Sequence, residues 1–343
     1  MIFSINETLF KVNNPQIQHE LADIIVLLIQ DKYLLDFSSI THIFYDDTGV
    51  FIFKDSKFAK TFFSNANLLI LEEYIDSLLQ KSDYLTSEQK KYFSSCTIGL
   101  NPGEVSPSVA LKLITESSKV ILENATNDWN FIKGIASKYS NHKKRKSIYK
   151  QVLRAIQNHW LESEQAGGKG QIIARFQDLS ANKYQDIYSY KLMALMDSDR
   201  DSGVELDVEI KRIIEFFKQR GISDYTEVFY EETDLISWHM LYKRETENYV
   251  PLEIIRDKID LGNLRDDLAK KTDEELDFLK YEKYLPAEVD VKRAFPLLFL
   301  ENFTRDKLEN RCKHHFIDIE TPNGTIEQVS EIEQILLKLA KII

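Results

Sequence analysis

A chain of 343 residues with 43% hydrophobic content is long enough for two domains, or one domain with a substantial addition, and apolar enough to bury a sizeable core. Its 55 acidic against 44 basic residues leave a net charge of −11, which argues against gripping nucleic acid with the whole surface, although local basic patches and bound cations still permit it. Two distant cysteines, Cys96 and Cys312, give neither metal spacing nor a disulfide framework, and no apolar stretch reaches the roughly 18 residues that cross a bilayer.

The opening MIFSINETLFKVNN lacks the basic start and apolar core of a signal peptide, so a cytoplasmic protein is expected. Residues 1–105 read as a small α+β domain. Ile17, Leu21, Ile24, Ile25 and Leu28 have helical spacing, and in THIFYDDTGVFIFK the DDTG separates two aromatic runs as a hairpin would. The amphipathic NLLILEEYIDSLLQK follows, then a turn at GLNPGEVS and a helix begun by Ser106 and Pro107, before which the boundary is placed.

Over residues 106–252 the pattern becomes that of an α/β fold, a parallel sheet flanked by helices. The apolar runs KVILE, NHWLES, YKLMALM and ISWHMLYK alternate with helical stretches starting near Asp128, Gln171 and Leu206. This alternation puts Glu123 and Asp197 at the carboxyl edge of neighbouring strands, where open α/β sheets hold their ligands. Residues 253–343 read as a helical C-terminal region. It includes LRDDLAKKTDEELDFLK and VSEIEQILLKLAKII, with Ile332, Ile335, Leu336, Leu339 and Ile343 on one face.

The most telling stretch is LMALMDSDRDSG, where an apolar run meets Asp197, Asp199 and Asp201. Three like charges within five positions repel one another unless water or a cation separates them. It is not a calcium loop: the glycine is one place late, Val208 stands at the twelfth position, and no helix leads in. A DxD that ends a strand also resembles the aspartyl-nucleophile phosphatases. Those carry it on their first strand with Thr or Val following, whereas here it lies on the third run and Arg200 follows.

Four motifs agree in order: VILENATNDWNFIKGIA, AGGKGQI, MDSDRD and HMLYKRETENYVP. Together, over roughly residues 117 to 252, they resemble the TOPRIM domain, and more particularly the TOPRIM nucleases related to the overcoming-lysogenization-defect family. The resemblance implies Mg²⁺ or Mn²⁺ held by Glu123 after the first strand and by Asp197 and Asp199 after the third. Hard divalent ions want several oxygen ligands, and such an ion activates water and steadies the charge on a cleaved phosphodiester. The family places an acid four positions after the glutamate, where this chain has Asn127 with Asp128 one further on, and a glycine where it has Asn124. Either the turn is a residue longer and Asp128 serves, or Asn127 offers an amide oxygen.

In AGGKGQI, Gly167, Gly168 and Gly170 let backbone approach a phosphate beside Lys169, or simply make a tight strand-to-helix turn. In YKRETENY, Lys243 and Arg244 are candidates for a substrate phosphate, and Glu245 or Glu247 for a metal ligand; related nucleases carry a similar ENY, which favours Glu247. An ordinary salt-bridged strand end is the alternative. His239 reads as a packed strand residue, and His314 and His315 as structural. Lys292 reads as a solvated helix lysine, the alternative being a cationic group near the transition-state phosphate.

The resemblance thus implies a metal-dependent nuclease acting on DNA or RNA, in the setting of bacterial defence against phage. No GxxxxGK[ST] is present, so nucleotide control would come from a separate ATPase chain. Oligomeric state stays open, a homo-oligomer included. The competing reading is a subunit that keeps the fold to bind or scaffold without cutting. Primase or topoisomerase activity lacks support, because there is no zinc-binding cysteine set and no tyrosine singled out among 16.

Overall fold

The computed structural model describes the chain except residues 31, 37, 81–86, 203–205, 207, 219–236, 260–266, 269, 286–287, 313–315 and 321–323. Gly203, His314 and His315, and part of LRDDLAKK, therefore lie outside the described residues. The chain divides into two units, Met1–Glu116 and Ser117–Ile343. The helix Pro107–Thr115 belongs to the first, where it packs on Pro15–Leu28, and residues 253–343 belong to the second. Among the described residues no helix is long and apolar enough to cross a membrane.

The first unit is built on a parallel sheet of order β2-β1-β3, from β1 (Ile2–Ile5), β2 (Leu34–Asp36) and β3 (Ser95–Ile98). The central strand buries Ile2, Phe3 and Ile5, as a strand covered on both faces must. The helix Pro15–Leu28 starts where proline costs no hydrogen bond, and the Asn14 side chain accepts from the amides of Gln16 and Ile17. The expected hairpin is reduced to one antiparallel bridge, Tyr45 with Phe51, between a short helix, Thr41–Phe44, and a 3₁₀ turn, Phe53–Asp55. The turn itself forms, with Asp46 Oδ1 accepting from the amides of Thr48 and Val50 and Gly49 at φ +80°. A backbone bond from the Ile52 amide to Phe44 O at 2.8 Å joins the flanks, and Phe44 and Phe53 both turn inward onto Phe10.

The second unit carries a four-stranded, wholly parallel sheet of order β5-β4-β6-β7: β4 (Ser118–Leu122), β5 (Leu161–Gln165), β6 (Leu192–Met196) and β7 (Ser237–Met240). All five residues of β6 are buried, the mark of a central parallel strand. The chain runs from β4 outward to β5, then crosses back over β4 to β6. Right-handed crossovers in opposite directions put their helices on opposite faces. Ala125–Tyr139 and Lys146–Gln157 pack with each other on one side, and Ile172–Ala181 packs against β4 and β6 on the other, with Val208–Lys218 beside it.

The Lys146–Gln157 helix is not among the expected stretches, and β5 begins only at Leu161, three residues into NHWLES, after a turn in which His159 has φ +58°. Nor is the C-terminal region wholly helical. An antiparallel hairpin of β8 (Phe316–Glu320) and β9 (Ile326–Ser330) leads into the helix Glu331–Lys341. That helix is buried from Glu331 to Ala340, and several of its polar residues have internal partners. Lys338 Nζ donates to Trp238 O at 2.7 Å, Arg145 Nη1 to Glu333 Oε1 at 3.1 Å, and the Tyr149 hydroxyl to the same oxygen at 2.9 Å.

Candidate functional site

The strand order reverses between β4 and β6, and open α/β sheets place ligands outside the carboxyl ends of the strands at such a point. In the register, Ile121 lies beside Ala194, so Glu123 and Asp197 leave the sheet at the same edge. The turn after β4 is short. Asn124 caps the Ala125–Tyr139 helix, and Asp128, in its first turn, bends back to accept from the Asn124 amide at 2.9 Å. Gln165, the last residue of β5, clamps this turn: Nε2 donates to Glu123 O, and Oε1 accepts from the Ala125 amide, both at 2.6 Å. Nothing in the sequence patterns singled Gln165 out, because a polar residue at a strand end is ordinary.

The acidic loop after β6 is shaped by the segment after β7. The amides of Ser198 and Asp199 both donate to Arg244 O, at 3.1 and 3.0 Å, and Ser198 Oγ donates to Lys243 O at 2.7 Å. So held, Asp199 adopts a left-handed φ of +52°. Asp197 Oδ1 accepts from the Thr246 amide at 3.1 Å. The 3₁₀ turn Thr246–Tyr249 is in turn fixed by Asn248, whose Oδ1 accepts from the Glu245 amide and whose Nδ2 donates to Leu276 O and Leu279 O.

Glu123, Asp128, Asp197 and Glu247 thus form one electrostatically coupled group. Burial, then the charges of Asp199 and Asp128, raises the Glu123 carboxyl to about 7. Burial raises Asp128 to about 6 even though the Asn124 amide pulls the other way, and it raises Glu247 to about 7 against the pull of Lys292. Asp197 is pushed well above the carboxylate range by burial first and by Asp128 and Glu123 next. Two ammonium groups enter the group. Lys169 Nζ pairs with Asp199 Oδ2 at 2.7 Å, and Lys292 Nζ lies 2.9 Å from Glu245, 3.6 Å from Glu247 and 4.0 Å from Asp197. Burial works against the Lys292 ammonium, but Glu247, Asp197 and Glu245 outweigh it and hold the group protonated far above the usual lysine range.

The chemistry of this donor set suits a hard cation: it is carboxylate oxygen throughout, short of positive charge, and Glu123 Oε1 is a buried acceptor with no hydrogen-bond partner. Yet among the described residues no group of three or more His, Cys, Asp or Glu side chains is set out to hold a metal ion as it stands. Glu123, Asp128 and Asp197 are the residues best placed to ligate one. Asp199 is turned to Lys169, while the Asp201 side chain is 91% exposed and pairs with Arg244 Nη1 at 2.6 Å.

Several expected roles do not match these positions. Lys243 is buried at 2% exposure, its ammonium paired with Asp277 and set over the Tyr249 ring, so it faces no substrate phosphate. Arg244 spends its guanidinium on Asp199 O, Arg200 O and Asp201, which makes it a clamp on the acidic loop. Gly168, at φ +112°, donates its amide to Glu123 O at 3.3 Å, so that N–H is engaged within the turn. Asp128 carries its carboxylate to the acidic group, whereas Asn127 is half-buried on the helix. Lys292, read as a solvated helix lysine with a place beside the phosphate as the alternative, is 44% exposed and brings its ammonium to Glu245, Glu247 and Asp197. His239 is packed as expected, its Nε2 3.0 Å from Glu331.

No protein-family model, curated protein or solved structure matches this chain.

Proposed function

We propose that this protein is a metal-dependent TOPRIM-type nuclease, using Mg²⁺ or Mn²⁺ to cleave phosphodiester bonds in DNA or RNA. The observation that carries the reading is the buried carboxylate group at the switch point of the sheet, with Glu123 Oε1 lacking any partner. When bound, a divalent ion there would supply a Lewis acid for a phosphate oxygen and an activated water. The chain's own residues prepare that place. The Asn124 amide fixes one oxygen of Asp128 and the Thr246 amide one oxygen of Asp197, leaving each carboxylate its second oxygen. Gln165 and Gly168 hold Glu123 through its carbonyl without touching its carboxylate. Lys169, 15% exposed, is the cation best placed to meet an anionic substrate beside the acids.

A specific observation favours the second reading, a binding subunit that does not cut: lysine ammonium groups already neutralise part of the cluster, and among the described residues no three carboxylates are set for a metal. The phage-defence setting and a separate ATPase chain rest on the resemblance alone. The test is incubation with Mg²⁺ or Mn²⁺ and plasmid, linear duplex, single strands and tRNA, alongside isothermal titration of Mn²⁺. Cleavage that Asp197→Asn and Glu123→Gln abolish is the expected result. Mn²⁺ binding without cleavage would favour the binding subunit, and neither binding nor cleavage would end the metal reading.

A further inference from the structure

Lys292 occupies a position that three fixed carboxylates define. It comes from the first turn of the helix Val291–Leu298, which Asp290 caps by accepting from the Arg293 amide at 3.1 Å. Its ammonium reaches Glu245 Oε2, Glu247 Oε1 and Asp197 Oδ2 at once, at 2.9, 3.6 and 4.0 Å. The four partners differ in freedom. The side chains of Glu245, Glu247 and Asp197 are 7%, 2% and 12% exposed, whereas that of Lys292 is 44% exposed. Each carboxylate belongs to a segment tied down by other hydrogen bonds: Glu245 within the capping box with Asn248, Glu247 by Thr246 Oγ1 at 3.1 Å, and Asp197 by the Thr246 amide. Lysine has a flexible four-carbon stem and water within reach. Of the four groups, it alone can leave without unfolding the turn.

A divalent ion among the same carboxylates would attract each about twice as strongly as an ammonium at equal distance, and would repel the ammonium itself. The two cannot share the place. We propose that Lys292 is a built-in counter-cation that closes the metal-free site, and that a divalent ion enters by displacing it from Asp197, Glu245 and Glu247. This rests on the metal reading above and adds two things to it. Metal affinity is the outcome of an exchange with the chain's own charge, and Glu245, the nearest partner of the lysine, becomes part of the environment the metal enters. It also accounts for the lack, among the described residues, of three carboxylates set for a metal: the resting arrangement is the lysine-bound one.

The experiment compares metal-free wild type, Lys292→Met and Lys292→Arg by Mn²⁺ titration calorimetry and by thermal melting in EDTA and in Mn²⁺. Loss of the competitor should tighten Mn²⁺ binding of Lys292→Met by roughly tenfold or more. In EDTA the same variant should melt below wild type, and Mn²⁺ should raise its melting temperature by more than it raises that of wild type. Lys292→Arg should bind like wild type or more weakly. Lys292→Gln serves the same comparison should the methionine variant fail to fold. Mn²⁺ binding by wild type and the neutral variant with equal Kd, or weaker binding by the variant, would overturn the exchange while leaving the metal reading standing. Absence of Mn²⁺ binding in all variants, with no cleavage, would overturn both.

Discussion

Among the clusters of buried charge in the second unit, two are built on opposite principles. Around Asp277 acids and bases are paired: Lys243 and Arg311 converge on its carboxylate, and Arg311 also lies 3.5 Å from Asp273 and donates to Asn248 O at 2.8 Å. Glu331 nearby accepts from the Tyr242 amide and the Tyr249 hydroxyl. At the carboxyl edge of the sheet, by contrast, Glu123, Asp128, Asp197 and Glu247 outnumber the cations that reach them, and all four carboxyls are raised. A protein tolerates interior charge where partners and hydrogen bonds offset desolvation; a surplus of one sign at a strand edge is a demand for something from outside. The first cluster holds the scaffold, and the second is held ready by it.

The sharpest way to break this comparison is Asp277→Ala. It leaves Lys243 buried without its counter-charge and Arg311 with Asp273 alone, and a loss of about 3–5 kcal/mol is expected, measured by urea unfolding. A loss near zero would mean that the matched cluster is not what holds the turn. The opposite sign is expected for Glu123→Gln in EDTA. A carboxyl raised to about 7 in the folded state stabilises fully only below its unfolded pKa of about 4, and that contribution is lost as pH rises through about 7. The variant should therefore gain on wild type between pH 4 and 7 and be more stable by on the order of 2 kcal/mol at pH 8. Urea midpoints at pH 5 and pH 8 would show it, and a variant equal to wild type at both would remove the surplus-charge argument.

Gly168→Ala sharpens the contrast from the backbone side. No atom lies within 4 Å of the added Cβ, so any cost comes from φ +112° alone, and about 1–2 kcal/mol is expected by thermal melting. The smallest effect separates two neighbours on one helix. Asn127→Ala should change stability by less than about 0.5 kcal/mol and leave Mn²⁺ affinity within about twofold. Asp128→Ala should weaken that affinity by roughly tenfold. If the asparagine proves the more important, the ligand set around Glu123 must be redrawn.

What could be read from the sequence follows from which forces are local. The order of the apolar runs KVILE, YKLMALM and ISWHMLYK carried the sheet of the second unit, and Glu123 and Asp197 fell at its edge because a parallel strand ends where its apolar run ends. β1, β2 and β3 were missed because strands of three or four residues are too short to show a period. Lys243 was misjudged for a different reason. A lysine that binds phosphate and one that neutralises a buried aspartate look alike, and its partner lies 34 residues on, in a stretch that reads as solvated helix. Lys292 was read first as a solvated helix lysine, with a place beside the phosphate as the alternative, and only the folded chain brings it to Glu245.

The acidic loop has a further property that concerns time rather than energy. Its shape is dictated from a distance: Ser198 and Asp199 take their conformation from the carbonyl of Arg244, and the Arg244 amide donates in turn to Asp277 O at 2.9 Å. Side-chain bonds across 42 residues at Gln165, 45 at Ser198 and 49 at Thr246 must all close before the carboxylates share one place. Contacts so separated along the chain are costly to close and form late. During synthesis from the N-terminus, Glu123 emerges 169 residues before Lys292. Until the last segments dock, these acids are ordinary solvated side chains, and the site's affinity for cations arises only as folding is completed.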